Sequence, residues 1–189
     1  PKGYEVTRPQ TLETMNYPGQ KTVYALLPSE FHSEGWMPVG RLDKDSTGLL
    51  LFVKEGFLVG RLQRPGNLEK IYDVWVRGHV QPPHVEKILE GVESPVGILK
   101  AKSVEILGGA GPKTHLRMVL TEGKNRHIRR LFWLLTDLKF KRRLKVLELK
   151  RIKIGSLNLS VPSGQWRFLT EEETETLLRC IPPKKTKTL

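Results

Sequence analysis

Between Gly123 and Lys153 the chain sets twelve basic residues against two acids, Asp137 and Glu148, and threads apolar residues through them. Ile128, Leu131, Phe132, Leu134 and Leu135 recur at helical spacing. From Leu144 to Ile154 the pattern shifts towards the alternation of a strand. Such a segment must lay one side on a core and hold its Lys and Arg outward, first on a helix and then on a strand. It carries most of the formal net charge of +12, and a polyanion is the partner that such a surface fits. An amphipathic membrane helix shares the first half of this pattern but not the second, so nucleic acid fits better than a bilayer.

The rest of the chain supplies the core. A polar loop, Arg41–Gly48, feeds an apolar strand over Leu49–Val53, and a short helix is expected over Phe57–Leu62. Ile71–Val76 reads as a strand with Tyr72, Val74 and Val76 on one face. Pro82-Pro83 opens a helix over His84–Leu89. Strands over Ile98–Leu107 and Thr114–Leu120 flank a turn at Gly108–Pro112. The basic helix spans Asn125–Leu135, and strands over Val146–Ile154 and Leu157–Val161 meet at Gly155. Thr170 followed by Glu173 is a capping box that opens a last helix. Strands outnumber helices and mostly follow one another directly. The expected fold class is therefore α+β, with a mostly antiparallel sheet and not a βαβ nucleotide-binding fold.

At 189 residues the chain is one domain or one with two lobes, expected over 1–181, with 182–189 a basic flexible tail. The single cysteine, Cys180, excludes a disulfide framework and a Cys-rich zinc site, and it fits a reducing compartment such as the cytoplasm. No apolar run is long enough to span a membrane, and Pro1-Lys2-Gly3-Tyr4 does not open a signal peptide.

Several chemistries fail on spacing. Asp43, Asp45, Thr47 and Gly48 fit the start of a calcium loop, but Lys54 stands where the bidentate Glu belongs. Gly111-Pro112-Lys113-Thr114 lacks the glycines of a phosphate loop. The histidines at 32, 79, 84, 115 and 127 have no ligand spacing, so no metal site is expected. Gly40-Arg41-Leu42-Asp43 remains. In an isolated loop Asp43 would be a turn residue that caps its own backbone. Here the loop enters an apolar strand, where a carboxylate needs a cation to stay ionised, and the basic helix can supply one. An Arg-paired carboxylate beside a polyanion-binding surface is a candidate nucleophile.

Three ordered segments resemble one family. Gly40-Arg41-Leu42-Asp43-Lys44-Asp45-Ser46-Thr47-Gly48-Leu49-Leu50-Leu51 resembles the active-site motif of the RsuA-type ribosomal-RNA pseudouridine synthases. Glu69-Lys70-Ile71-Tyr72-Asp73-Val74 resembles the family's second motif, and Glu122-Gly123-Lys124-Asn125-Arg126-His127-Ile128-Arg129-Arg130-Leu131-Phe132 its third. Pro1-Lys2-Gly3-Tyr4 and Val23–Pro28 resemble further landmarks. The resemblance implies a mixed, mostly antiparallel sheet flanked by helices, in two lobes around a central RNA-binding cleft. It implies uridine flipped out of RNA and isomerised without metal or cofactor, by a monomer. Carried over, Asp43 is the catalytic carboxylate, Tyr72 stacks on the base and Arg129 pairs with Asp43. Lys124, Arg126 and Arg130 hold phosphates, Asn125 and Lys70 complete the RNA-binding set, and Arg41 braces the loop. Many family members carry a small RNA-binding domain ahead of the catalytic one. None precedes Pro1 here, as in a short form or a piece of a longer chain. A second reading stays open: an RNA-binding ribosome-assembly protein with no turnover, using the same basic surface.

Overall fold

The computed structural model describes residues 1–6 and 21–181. The expected tail at 182–189 lies outside the described residues. In chain order the elements are α1 (Glu30–Ser33), β1 (Met37–Val39), β2 (Thr47–Gly48), β3 (Leu51–Val53), α2 (Gly56–Gln63), β4 (Lys70–Arg77) and α3 (Pro82–Glu90). There follow β5 (Ser103–Ala110), β6 (Lys113–Leu120), α4 (His127–Trp133), β7 (Lys145–Ile154), β8 (Leu157–Asn158) and α5 (Glu171–Arg179). The main sheet runs β2-β7-β4-β6-β5, with β8 paired to β7; β1 and β3 form a separate antiparallel pair. Among the strands described, β2 against β7 is the one parallel pair, so the mixed, mostly antiparallel α+β fold is as expected.

The alternation in β4 turns Tyr72, Val74 and Val76 inward. They meet Leu116, Met118 and Leu120 of β6, and Ile88 of α3 and Ile128, Leu131 and Phe132 of α4 close that core. A second core gathers Val39, Leu51, Leu62, Leu68, Ile154, Leu157, Leu177 and Ile181. The loop after Val39 leaves this second core and reaches the edge of the main sheet at β2. Where two lobes were expected, there are thus two cores joined by that loop and by β7.

Several boundaries moved for identifiable reasons. The apolar run Leu49–Val53 is split: Thr47–Gly48 follows β7, and Leu51–Val53 turns to pair with β1. The strand expected from Ile98 starts at Ser103, because Leu99 is claimed by a bridge to Val92 and buries itself under α3. The strand after Gly155 stops at Asn158. The basic helix starts at His127, because Arg126 takes a left-handed conformation (φ 50°, ψ 35°) that no helix continues. The Thr170–Glu173 capping box is formed in full.

Candidate active site

The loop that carries Asp43 is pinned at several points by main chain. Ser46 N–H donates to Asp43 C=O at 2.9 Å and closes a turn over Asp43–Ser46. Gly3 N–H donates to Lys44 C=O at 2.7 Å, and Glu5 pairs with the Lys44 ammonium, so the first residues of the chain brace the turn. At its far end Leu49 N–H donates to Arg151 C=O at 2.8 Å. Gly48 lies against β7 at φ 115°, where an added Cβ would run into the backbone of Arg151. The sequence needs Gly there for both reasons.

Two arginines from the start of α4 meet this turn. Arg129, with its side chain 10% exposed, brings Nε to 3.6 Å from Asp43 Oδ2 and Nη1 to 3.2 Å from Asp45 Oδ2. Its Nη2 donates to Asp45 C=O at 2.9 Å and to Ser46 Oγ at 3.2 Å. Arg126 spans the same pair, with Nη1 3.9 Å from Asp43 Oδ2 and Nη2 3.5 Å from Asp45 Oδ2. Its left-handed backbone is a strained conformation for a side-chain-bearing residue, held because the guanidinium and the helix start are both fixed. Burial lowers the Arg129 pKa, and Asp45 and then Asp43 oppose that shift. Asp43 itself stays partly open, its side chain 24% exposed, so a substrate atom can approach the carboxylate.

The expected Asp43–Arg129 pair is therefore present, but it belongs to a group of four. Asp45, which was not among the expected site residues, sits closer to Arg129 than Asp43 does. Arg126 turns to the two aspartates rather than standing free. Lys124 is engaged within the chain, donating to Ile98 C=O at 2.5 Å and pairing with Glu122 at 3.3 Å. Arg130 donates to Asn125 Oδ1 at 3.1 Å. Arg41 contributes its carbonyl, while its side chain lies in solvent; the brace is another residue, Arg151.

Arg151 is 2% exposed, and its Nε donates to Leu49 C=O at 2.8 Å and its Nη1 to Arg41 C=O at 3.4 Å. Both ends of the Asp43 loop hang on this one guanidinium. No carboxylate pairs with it among the described residues, and its Nη2 is buried without a partner. A bulge puts it there: one extra residue in β7 between Arg151 and Lys153 sets Arg151, not Ile152, opposite Tyr72. Tyr72 is 8% exposed in the central strand, flanked by Met118 on one side and Arg151 on the other. Lys70, two residues earlier, has its pKa lowered by burial and then by the charge of Arg151. Sequence reasoning counted Arg151 only as surface charge. The signal was a charged residue two positions from Leu149, in the inward phase of the strand.

A cavity of about 740 Å³ borders this loop at Leu42, Thr47 and Gly48 and is walled by Trp36, Trp166 and Phe168 among others, but its lining includes none of Asp43, Tyr72 and Arg129. No group of three His, Cys, Asp or Glu residues is placed to hold a metal ion among the described residues. His84 and His127 are buried and bond to main chain, His84 Nε2 to Thr136 C=O at 2.9 Å and His127 Nε2 to Lys100 C=O at 3.1 Å. No helix among the described residues is long and apolar enough to cross a membrane.

A family model described as RNA pseudouridylate synthase matches residues 1–133. The chain is 34% identical over 174 residues to a protein of Vibrio vulnificus (strain CMCP6) named ribosomal large subunit pseudouridine synthase B, covering 89% of this chain and 52% of that protein. The protein of that name from Escherichia coli (strain K12) is 34% identical over 177 residues, covering 90% and 58%. The chain thus spans about half the length of the curated relatives it matches. A crystal structure of a pseudouridylate synthase superposes with a TM-score of 0.75 at 26% identity, over 94% of this chain and 70% of that one.

Proposed function

The chain belongs to the RNA pseudouridylate synthase family, and on that premise we propose that it isomerises a specific uridine of large-subunit ribosomal RNA to pseudouridine. The observation that carries the reading is the partly open Asp43 carboxylate, bracketed by Arg126 and Arg129 on a loop fixed at both ends. Two guanidiniums face the carboxylate and balance its charge, and the fixed loop holds it in one place, which is what a nucleophile or an electrostatic stabiliser needs.

The target uridine is flipped out of the RNA to reach Asp43. The N1–C1′ bond then breaks, either by attack of Asp43 on C1′ or by loss of the 2′ proton to give a glycal. The freed uracil turns and C5 bonds to C1′, which expels the Asp43 carboxylate on the first route and is accompanied by return of the proton to C2′ on the second; the C5 proton then leaves to water and N1 takes up a proton. Atoms and electrons balance, so the isomerisation needs no cofactor. Tyr72, on the strand beside Arg151, supplies a ring to stack on the base. Lys70, Asn125, Arg41 and Arg130 are the residues proposed to line the approach of the RNA, with Lys124 setting the position of the loop before α4. Residues 1–181 form the catalytic domain, working as a monomer in the cytoplasm; the lone thiol Cys180 supports that compartment.

The test is tritium release from RNA labelled at C5 of uridine, with RNA binding followed separately. Asp43→Asn keeps the shape but removes the nucleophile and its charge, so release should fall to background while RNA affinity is kept. Asp45→Asn loosens Arg129 but leaves the Asp43 carboxylate, so partial release should remain. Wild-type release from Asp43→Asn, with Asp45→Asn inactive, would mean that the wrong carboxylate had been chosen.

A further inference from the structure

The segment between α4 and β7 holds a second basic feature, away from the aspartates. It is closed like a hairpin: Thr136 and Arg143 bridge antiparallel, Asp137 N–H donates to Arg142 C=O at 2.8 Å, and Leu144 N–H donates to Leu135 C=O at 3.0 Å. The hub is the Asp137 carboxylate, 2% exposed. It accepts from the N–H groups of His79 (2.7 Å), Lys139 (2.8 Å) and Phe140 (3.0 Å), and the His79 ring lies 3.2 Å away. Burial alone would raise this carboxyl, but those N–H groups hold it well below the usual carboxylate range. Lys141 takes a left-handed conformation at φ 54°, a second sign that the turn is fixed from within.

While the backbone is fixed from inside, the side chains face out. Lys139, Lys141 and Arg142 are exposed, and Phe140 is 49% exposed. Lys139 Nζ stands 5.4 Å from the centre of the Phe140 ring. Trp133, at the root of the turn, is also exposed. The one acid of the tip, Asp137, is spent on main-chain N–H groups, so the outward charge is wholly positive. A held aromatic ring among cations matches a base with its neighbouring phosphates. Trp133 ends α4 four residues before Asp137, and Arg126 and Arg129 stand at the other end of that helix; its seven residues span about 10 Å. An RNA strand that leads from Asp43 along α4 would meet the tip.

We propose that the tip, Asp137–Arg143, is a second RNA contact, where Phe140 stacks on an unpaired base flanking the target and Lys139, Lys141 and Arg142 neutralise adjacent phosphates. The proposal rests on the RNA-modifying reading above.

The test uses the full chain and two labelled RNAs, a hairpin with a single-stranded uridine-rich tail and the same hairpin cut blunt. Phe140→Ala should weaken binding of the tailed RNA by roughly five- to a hundredfold, and Phe140→Tyr should restore it. The blunt hairpin should bind Phe140→Ala and wild type about equally. Replacing Lys139, Lys141 and Arg142 together by Ala should lower the slope of log affinity against log salt by about 2. Lys139, Lys141 and Arg142 are exposed, so their replacement should leave the melting temperature unchanged; Phe140 also packs on the His79 ring, with centroids 5.3 Å apart, so Phe140→Ala should lower it slightly and Phe140→Tyr should not. If wild type binds and modifies RNA while every tip variant binds the tailed hairpin as tightly, the tip proposal fails and the function stands. If wild type binds no RNA, both fail. Tip variants that lose phosphatidylglycerol vesicles but keep RNA would assign the surface to a membrane and overturn the proposal.

Discussion

Tyr72 tests the residue scale, because its position allows two separable roles. Its ring is buried in the central strand beside the Arg151 guanidinium. If only the ring matters, Tyr72→Phe should keep both RNA affinity and turnover, while Tyr72→Ala should lose roughly 1–3 kcal/mol of binding. If the hydroxyl also helps to move the C5 proton, Tyr72→Phe should bind RNA normally and turn over poorly. Single-turnover rates measured beside binding curves separate the two; a fast, tight-binding Tyr72→Ala would remove both. Asp43, Tyr72 and Arg129 could be proposed from the sequence because their motifs are contiguous and ordered. What each one touches was not legible. Asp45 shares Arg129 because a turn folds the loop back on itself, and Arg151 reaches the loop only after β7 has bulged. Both contacts join residues dozens to a hundred positions apart, and no local pattern encodes them.

At the scale of elements, local chemistry was read well where it is self-contained. The capping box of α5, the prolines opening α3 and the inward face of β4 each depend on neighbours within four residues. The splitting of Leu49–Val53 depended on which strand the segment would meet, and an apolar run cannot say. Gly48 is where that pairing is most exposed to change. Gly48→Ala would force a Cβ into the backbone of Arg151 and a strained φ, so it should lower stability by more than about 1 kcal/mol. Urea melts would show it, and an unchanged midpoint would mean that β2 does not pack on β7 as described. The start of α5 offers a pH test. Glu173 pairs with Arg167 at 2.6 Å and with the N–H of Thr170, which lowers its carboxyl to about 2. A carboxylate lowered in the folded state stabilises above its unfolded pKa, near 4.3, and that contribution fades as pH falls towards 2. The protection of the α5 amides, taken relative to the intrinsic exchange rate at each pH, should therefore fall below about pH 4 in the wild type and be nearly flat there in Glu173→Gln; parallel profiles would contradict the pairing.

Among the described residues, the Asp43 loop, the step from Leu68 into β4, and β7 all run between the two cores. β7 holds Arg151, which holds the Asp43 loop, and it ends in the second core at Ile154. The basic segment that opened the sequence reading does two jobs. Part of it turns to the Asp43 loop, with Arg151 buried, Arg129 nearly so and Arg126 half-exposed, and part faces outward at the tip after α4. A count of charges could not apportion these roles, since both kinds of Arg look alike until the fold gives each a direction. The central claim is that this arrangement isomerises uridine in ribosomal RNA through Asp43. Its most direct test is to incubate unmodified large-subunit ribosomal RNA with the wild-type chain or with Asp43→Asn, and then to map pseudouridine at nucleotide resolution. The account predicts a discrete uridine converted by the wild type and left unchanged by Asp43→Asn at equal RNA occupancy. Conversion by both would remove Asp43 from the chemistry, and conversion by neither, with RNA still bound, would make the chain an RNA-binding protein without turnover.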